Sequence, residues 1–235
     1  MADFPQSPIP AQQFFEQWLP QAFAETELPA DARDAAVKLG VRLDGDGGGE
    51  WVFELAQGRL TVRRGPRDET AFTVVQSVAD WRGALWEGRG GAIGKQASAF
   101  FRPGAQSAEP ARPGQMGGAP SAAALAQMEK LNGVIRMLVE GGDGGDWKVD
   151  FKLGPGAIPA EPTTTVALTA DDAAAMDRGE LDPMTAFMSG RLRVTGDMGL
   201  MMQMQAIQMQ AAAQAASRAG GGGSSSSGGS GGAFA

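Results

Sequence analysis

The sequence predicts a globular protein of mixed strands and helices, arranged as two similar halves. Its 235 residues are 43% apolar and 20% charged, which is the composition of a chain that buries a core. Segments in which apolar residues alternate with others indicate strands, and residues that favour helix starts and ends follow them. The same order of signals occurs twice, so we favour a duplication over coincidence.

The chain begins with an amphipathic helix after a proline-rich start. Residues 11–23 carry Phe14, Phe15 and Trp18 at helical spacing, and this aromatic density predicts that the helix packs onto another element. Pro20 is expected to kink or end the helix, because proline lacks the amide that an interior position donates.

A glycine turn followed by a strand is the first repeated unit. Residues 48–55 and 144–151 align at an offset of 96, and both begin with two glycines. Trp51 and Trp147 occupy matching positions, and each is followed by apolar residues at every second position. Each strand is therefore expected to bury one face.

A strand that runs into a short helix is the second repeated unit. Asp80 and Asp171 lie near the helix starts, at an offset of 91, and Gly88 and Gly179 close the helices. The difference of five residues from the first offset is a normal loop deletion. The two predicted strands are 70–76 and 163–169.

Two segments poor in large apolar residues divide the chain. Residues 103–120 hold four prolines and four glycines, and residues 219–235 are mostly glycine and serine, so both are expected to be flexible. The domains predicted between them are a first lobe, 1–102, which includes the N-terminal helix, and a second lobe, 121–218.

The second half continues where the first half has a poor counterpart. Asp182 and Pro183 start a short helix that ends at Gly190, and residues 191–195 alternate as a strand. A helical run rich in methionine and alanine then extends to Ser217.

The faces of this last helix follow from helical periodicity. One face holds Met198, Met201, Met202 and Gln205, and the adjoining face holds Leu200, Met204 and Ile207. Unbranched thioethers adapt to ligands of different shape. The pattern leaves open whether these methionines form an adaptable binding surface or ordinary core.

The run 182–200 resembles a motif of the sterol carrier protein type-two domain family, also called the sterol-binding domain. Residues 187–195 read FMSGRLRVT and residues 196–200 read GDMGL, close to the family pattern FxxGKLKI followed by GDMGLAMKL. The resemblance covers about residues 121–212. Positions where the family usually has lysine are occupied by Arg191, Arg193 and Gln203.

The resemblance implies an α+β domain with a five-stranded, mostly antiparallel sheet covered by helices, and an apolar tunnel closed by the C-terminal helix. Family members bind fatty acyl chains, acyl-CoA, sterols or phospholipids without chemistry of their own. The first half then resembles a degenerate copy. It either packs against the second half as a lobe or has its sheet completed across a domain or subunit boundary, and the residues leave both open.

Motif position and strand parity name the side chains that we expect to line such a tunnel and bind the lipid. They are Trp147, Val149, Phe151, Val166, Leu168, Phe187, Met188, Leu192, Val194, Met198, Met201 and Met202. Each of them has ordinary core packing as its alternative. Gln205 is a further candidate, which either hydrogen-bonds a lipid head group or faces solvent.

The residue types exclude most catalytic machinery. The chain has no Cys, His or Tyr, so disulfides, thiolate or imidazole metal sites and histidine-based triads are excluded. Asp44 and Asp46 suggest calcium, but Leu55 stands where the loop needs a bidentate glutamate. We therefore predict no catalytic residue, no metal ligand and no cofactor.

Four arginines in the first half form a basic cluster with two interpretations. They are Arg59, Arg63, Arg64 and Arg67. The cluster either holds a phosphate head group or forms a solvated face, and the neighbouring Asp68 and Glu69 favour the solvated face.

The net charge and the lengths of the apolar segments limit which partners and which cellular location we expect. A net charge of −7 disfavours nucleic acid and anionic membranes. No signal peptide or membrane span is recognised, so we expect a cytoplasmic protein, for which transient membrane contact stays open. Fifteen arginines against five lysines, with abundant alanine and glycine, are typical of a bacterial source with a GC-rich genome.

The expected function is non-catalytic binding and intracellular carriage of lipids in an apolar tunnel. Its ligands would be fatty acyl chains or sterol- or isoprenoid-like molecules. The alternative is an accessory or scaffold protein that presents a lipid-like substrate to partner enzymes, for example in isoprenoid quinone biosynthesis. Enzymatic activity is the weakest hypothesis, because only carboxylates, Lys, Arg and Ser are available for chemistry.

Overall fold

An eight-stranded sheet forms the centre of the molecule. The computed structural model describes residues 3–26, 36–99, 101–102 and 122–220. The expected number of five strands is wrong, whereas the mostly antiparallel pairing is confirmed. The strands are β1 (Val37–Asp44), β2 (Gly49–Ala56), β3 (Arg59–Arg64), β4 (Phe72–Ser77), β5 (Gly133–Gly142), β6 (Gly145–Leu153), β7 (Thr164–Thr169) and β8 (Arg193–Gly196).

The two halves join edge to edge, and this junction explains why one larger sheet replaces a sheet of five strands. The strand order is β3-β2-β1-β4-β6-β5-β7-β8. In each half, the first strand of a hairpin also pairs with a parallel strand later in the chain, which is β4 or β7. The halves meet where β4 pairs antiparallel with β6, from Phe72 opposite Leu153 to Val75 opposite Asp150. The sheet is thus completed across the boundary between the halves.

Both halves begin the helix after the parallel strand, β4 or β7, with a hydroxyl cap. Ser77 Oγ accepts a hydrogen bond from the Asp80 amide at 2.9 Å, and Thr169 Oγ1 accepts one from the Asp172 amide at 3.2 Å. Each cap satisfies an amide that has no partner within its own helix. The residue equivalent to Asp80 is therefore Asp172, at an offset of 92, and the sequence alignment with Asp171 is wrong by one position.

Helices cover one face of the sheet. They are α1 (Ala11–Gln13, the π-helical turn Phe14–Trp18, and Leu19–Ala24), α2 (Val78–Arg82 and the π-helical turn Gly83–Glu87), α3 (Gly91–Ala99), α4 (Ala122–Met128), α5 (Ala170–Asp177), α6 (Pro183–Met188) and α7 (Met198–Gly220). None of the helices within the described ranges is long and apolar enough to cross a membrane. The predicted linker lies outside those ranges, as does the predicted tail after its first two residues.

Helix α1 continues past Pro20, where the sequence predicts a kink or an end. A π-helical turn precedes the proline, and in it the Leu19 amide bonds to the Phe14 carbonyl, five residues back instead of four. The amide that Pro20 lacks therefore falls where the hydrogen-bond ladder is already shifted. The helix consequently does not end at Pro20.

The two faces of the sheet differ in chemistry. Along β6, the alternate residues Trp147 and Val149 face the helices and are almost fully buried. On the opposite face, Arg136 of β5 donates two hydrogen bonds to the Asp150 carboxylate, at 2.8 and 2.7 Å. This hydrogen-bonded carboxylate raises the pKa of Arg136, although burial acts in the other direction. One face therefore holds the core, and we call the other the polar face.

The core of the first half is built from aromatic rings. Phe15 of α1 lies 4.9 Å from Trp51 of β2 and 5.3 Å from Trp81 of α2, between ring centroids. Phe14 contacts Trp81 edge to face at 5.2 Å. The prediction that the aromatic N-terminal helix packs onto another element is thus confirmed, and these rings are fully buried.

Candidate functional site

The apolar face of the second half is where the sequence places most of the ligand-binding side chains. Val149 of β6 and Val166 of β7 are both in register with Met137 of β5, which lies between them. Val149, Val166 and Leu168 are 0% exposed. The structure therefore brings these predicted strand residues together, and they form a closed apolar core.

Two predicted side chains of β6 contact the first half. Trp147 Nε1 donates a hydrogen bond to the Asp80 carbonyl at 2.8 Å. Its ring lies so close to Gly90 that a Cβ atom there would stand 2.8 Å from the ring. The Phe151 ring stacks on that of Phe72 at a centroid distance of 5.6 Å. Trp147 and Phe151 thus join the halves, which strand parity alone could not reveal.

The GDMGL segment positions the start of α7 against β7. Gly196 has a φ of +94°, and a Cβ atom there would approach the Thr163 carbonyl oxygen to 2.3 Å. The Asp197 amide donates to the same carbonyl at 2.9 Å, and the Asp197 carboxylate accepts a bond from the Gly199 amide at 2.7 Å. Thr164 Oγ1 donates to the Asp197 carbonyl at 2.7 Å. Glycine and aspartate are required here because they allow the close approach and cap the helix.

Helix α7 has one packed face and one exposed face. Leu200 and Ile207 are 5% and 7% exposed, and Met201 and Met204 are half-buried. Met201 therefore points closer to the core than its predicted neighbours do. The predicted residues of α7 that are exposed are Met198, Met202 and Gln205.

Helix α6 presents a second exposed apolar stripe. Met184, Phe187 and Met188 are spaced three and four residues apart, so they share one side of the helix. Their side chains are exposed, whereas Ala186 on the opposite side is fully buried. The predicted residues Phe187 and Met188 thus lie at the surface, not in the buried strand cluster.

We define the methionine surface as the exposed apolar residues of α6 and α7. Among the residues whose exposure is described, these are all of the exposed large apolar side chains. Each of the two helices carries three of these side chains at helical spacing, and an exposed apolar stripe marks a binding surface more often than a scattered apolar residue does. Sequence reasoning missed Met184 and Met209, although each lies at helical spacing from a predicted member. The surface consists of Met184, Phe187, Met188, Met198, Met202 and Met209.

The segment between α6 and α7 is held against the core. Leu192 is 6% exposed, and Val194 of β8 lies in register with the apolar residues of β7. Arg191 donates to the buried Asp172 carboxylate at 2.6 Å. In the segment that connects the helices of the methionine surface, the predicted residue Leu192 is therefore buried and the predicted residue Val194 is half-buried.

Polar groups near the methionine surface serve mainly to shape it. Asp182 caps α6 by accepting a bond from the Thr185 amide at 2.9 Å, and the hydrogen bonds from Thr185 hold the pKa of Asp182 below its ordinary value. Within the described ranges, no cluster of three or more acidic side chains could hold a metal ion. The chemistry that the region offers is desolvation of apolar matter.

The second half of the chain is similar in sequence to known proteins. Residues 115–209 match the family model described as the SCP-2 sterol transfer family. Sterol carrier protein 2 of Oryctolagus cuniculus and that of Homo sapiens are each 33% identical over 90 residues, which cover 35% of this chain and 16% of each relative. Hydroxysteroid dehydrogenase-like protein 2 of Xenopus tropicalis is 33% identical over 92 residues, which cover 37% of this chain and 22% of the relative.

The chain therefore spans less than a quarter of the length of these curated relatives. The solution structure of the sterol carrier protein domain 2 of Helicoverpa armigera is 26% identical, with a TM-score of 0.28, and the match covers 37% of this chain and 74% of that one. The residues matched by the family model include the GDMGL segment, helix α6, the first half of α7 and the strands β5 to β8. Residues 115–209 are a domain of the SCP-2 sterol transfer family.

Proposed function

We propose that this protein binds lipids and carries them inside the cell without chemical turnover. Its ligands are molecules with long apolar parts, such as fatty acyl chains and sterol- or isoprenoid-like compounds. The observation that carries the proposal is the methionine surface, which leaves six large apolar side chains exposed beside the core of an SCP-2 domain. Lipid that covers this surface removes apolar area from water.

The proposed site extends from the methionine surface beneath α7 to the apolar face of the second half. Val149 and Val166 are sealed from solvent, so a ligand that reaches them requires α7 to move outward. Asp197 anchors the start of α7 to β7. We therefore expect α7 to pivot about this anchored end, while Met201 and Met204 change rotamer to fit the ligand.

The energetics favour broad selectivity. Each methylene transferred from water to an apolar site contributes about 0.8 kcal/mol, so a sixteen-carbon chain gains about 12 kcal/mol. Association and ordering oppose binding by roughly 4 to 15 kcal/mol, which leaves up to about micromolar affinity. Methylene groups form no hydrogen bonds, so chains of different origin compete for the same site.

We propose that only the second half holds ligand. The apolar face of the first half is filled by the rings of Phe14, Phe15, Trp51 and Trp81, which are fully buried and in mutual contact. Displacing such rings exposes far more apolar area than moving methionines does. The first half then serves to complete the sheet.

We further infer that the halves arose by duplication. Both have an antiparallel hairpin whose first strand pairs with a later parallel strand, and both have a hydroxyl cap on the helix that follows this parallel strand. This shared pairing supports the origin more strongly than the short sequence similarity does, although β3 of the first half and β8 of the second half have no counterpart in the other half.

The proposal is tested by mass spectrometry of lipids extracted from the gently purified full chain and from two variants. Met202→Arg places a charge on the methionine surface, and Gln203→Arg places the same charge on the neighbouring, exposed position of α7. A mock purification gives the background. Added palmitate, followed by fluorescence, measures uptake by each protein.

We expect near-stoichiometric acyl chains or isoprenoids in the wild type and in Gln203→Arg, and their loss in Met202→Arg with an unchanged melting temperature. An empty, folded wild type that refuses palmitate would contradict lipid carriage. In that case a stable complex with a co-purifying enzyme would favour the accessory alternative.

A further inference from the structure

The polar face of the first half contains a cleft that lipid carriage does not use. It lies where the connection after β3 folds back over β1 and β2, and its volume is about 260 Å³. Gly40 permits this close approach, since a Cβ atom there would stand 2.7 Å from Thr70 Oγ1 and 3.0 Å from Arg67 Cβ. The lining residues are Lys38, Val52, Arg63, Pro66, Arg67, Asp68, Glu69 and Thr70.

Arg67 is a buried cation with few partners. It is 5% exposed, and its Nη1 donates to the Gly156 carbonyl at 2.9 Å. Its Nε is buried and has no hydrogen-bond partner in the described part of the chain. The nearest carboxylate oxygens, of Glu50 and Asp68, lie 3.7 Å away, beyond hydrogen-bond distance. A buried guanidinium normally fills its five donors, because an unsatisfied buried donor is destabilising.

The other charges of the cleft lie at its rim. Lys38 pairs with Glu69 at 3.2 Å, but the Glu69 side chain is 88% exposed, and that of Asp68 is 63% exposed. Exposed carboxylates can turn into solvent at little cost, so a bound anion can replace them. Arg63 is exposed and has no ion pair with any residue in the described ranges. The cations Lys38, Arg63 and Arg67 thus line one cleft, and the carboxylates of Asp68 and Glu69 can turn away from it into solvent.

We infer that this cleft is a binding site for a small phosphate-bearing molecule. Arginine forms two parallel hydrogen bonds to phosphate oxygens, which suits the unfilled donors of Arg67. Arg63 and Lys38 supply further positive charge from the rim. A volume of about 260 Å³ lies just below the ~300–1,000 Å³ of drug-sized pockets, so the occupant is small or only its head group enters.

The experiment titrates the full chain with inorganic phosphate and, separately, with a soluble short-chain phosphatidate, and follows backbone amide shifts by NMR. The test variant is Arg63→Gln, because Arg63 is exposed and its replacement leaves the core intact. The matched control is Arg59→Gln, which removes the same charge from the same strand, outside the cleft. Arg67→Gln is a second test variant, used if its unfolding curve is normal.

We expect phosphate to shift the amides of residues 63–70, and Arg63→Gln to weaken binding about tenfold, which is the loss of one charge-assisted hydrogen bond. Arg59→Gln should bind like the wild type. Tighter binding of phosphatidate, with the same dependence on Arg63, identifies a lipid head group, and equal binding identifies a free phosphate. Absent shifts at millimolar phosphate, or equal weakening by both variants, would overturn the site.

Discussion

Arg89 connects the two halves, and its removal is the sharpest test of how they are joined. Its Nη2 lies 3.1 to 3.3 Å from the carbonyl oxygens of Gly144, Gly145 and Asp146, at the end of the β5–β6 turn and the start of β6. Its Nη1 lies 3.9 Å from the Asp80 carboxylate, and the Arg89 side chain is only 17% exposed. Arg89→Ala therefore breaks contacts that belong to both halves.

The expected loss follows from these contacts. A hydrogen bond to a charged group contributes about 1.5 to 3 kcal/mol. The three carbonyls share one nitrogen and regain water when Arg89 is removed, so we count them together as about 2 kcal/mol. For a chain of this size, 1 kcal/mol corresponds to roughly 2 to 4 °C, which predicts a melting temperature lower by about 4 to 8 °C. Arg89→Lys keeps the charge but loses the planar guanidinium, so its melting temperature should lie between those of the wild type and Arg89→Ala.

The assay is urea unfolding of the full chain, followed in parallel by tryptophan fluorescence and circular dichroism. Arg178→Ala is the control, because Arg178 pairs with Glu180 at the surface and both side chains are more than half exposed. We expect no measurable change in this control. A loss below about 0.5 kcal/mol for Arg89→Ala, the range of ordinary surface changes, would refute the reasoning.

Three further predictions concern stability, each read from urea unfolding curves. Leu200→Ala should lower the free energy of unfolding by about 2 to 5 kcal/mol, because Leu200 is buried. Met202→Ala should change it by less than about 0.5 kcal/mol, because Met202 is 68% exposed. Equal losses would contradict the assignment of one packed and one exposed face to α7. Lys152→Met should cost about 2 to 3 kcal/mol, because the buried ammonium donates to oxygens at 2.6 to 3.2 Å. Burial, and then the charge of Arg67, lowers the pKa of Lys152 in the folded protein, so the unfolded chain keeps this proton to higher pH. The wild type should therefore gain stability relative to Lys152→Met as the pH rises from neutral toward the ordinary pKa of lysine. A stability difference that does not change with pH would contradict this. Thr169→Ala should cost about 1 kcal/mol by removing the cap of α5, and Thr169→Ser should restore most of it.

Local features were predictable from the sequence because their causes are local. Alternation identified β2 and β6, and the Asp182–Pro183 pair identified the start of α6. Helical periodicity also separated Leu200 from Met202 on α7. Periodicity could not tell whether the side of α7 with Leu200 or the side with Met202 packs on the core, since both sides are apolar. Only the contacts with the sheet decide this.

Long-range features were not predictable, because they depend on which elements meet. Trp147 has the alternation of a strand residue, but its bond to Asp80 exists only because β4 pairs with β6. Arg67 belongs to a charge-rich run, which favours a solvated face. The fold instead buries it against Gly40 and the connection that contains Gly156.

The pairing of β4 with β6 has a consequence for the newly made chain. Roughly 75 residues separate the end of β4 from the end of β6. At a synthesis rate of ~5–20 residues per second, about 4 to 15 seconds pass between the synthesis of β4 and the synthesis of β6, with which the edge of β4 pairs. During that time it presents unpaired amides and carbonyls, which can pair with a second nascent chain. In the folded protein β4 lies between β1 and β6, so this edge is no longer exposed. The shared sheet thus removes this edge from the folded protein, and we expect the newly made first half to expose it until β6 has been synthesised.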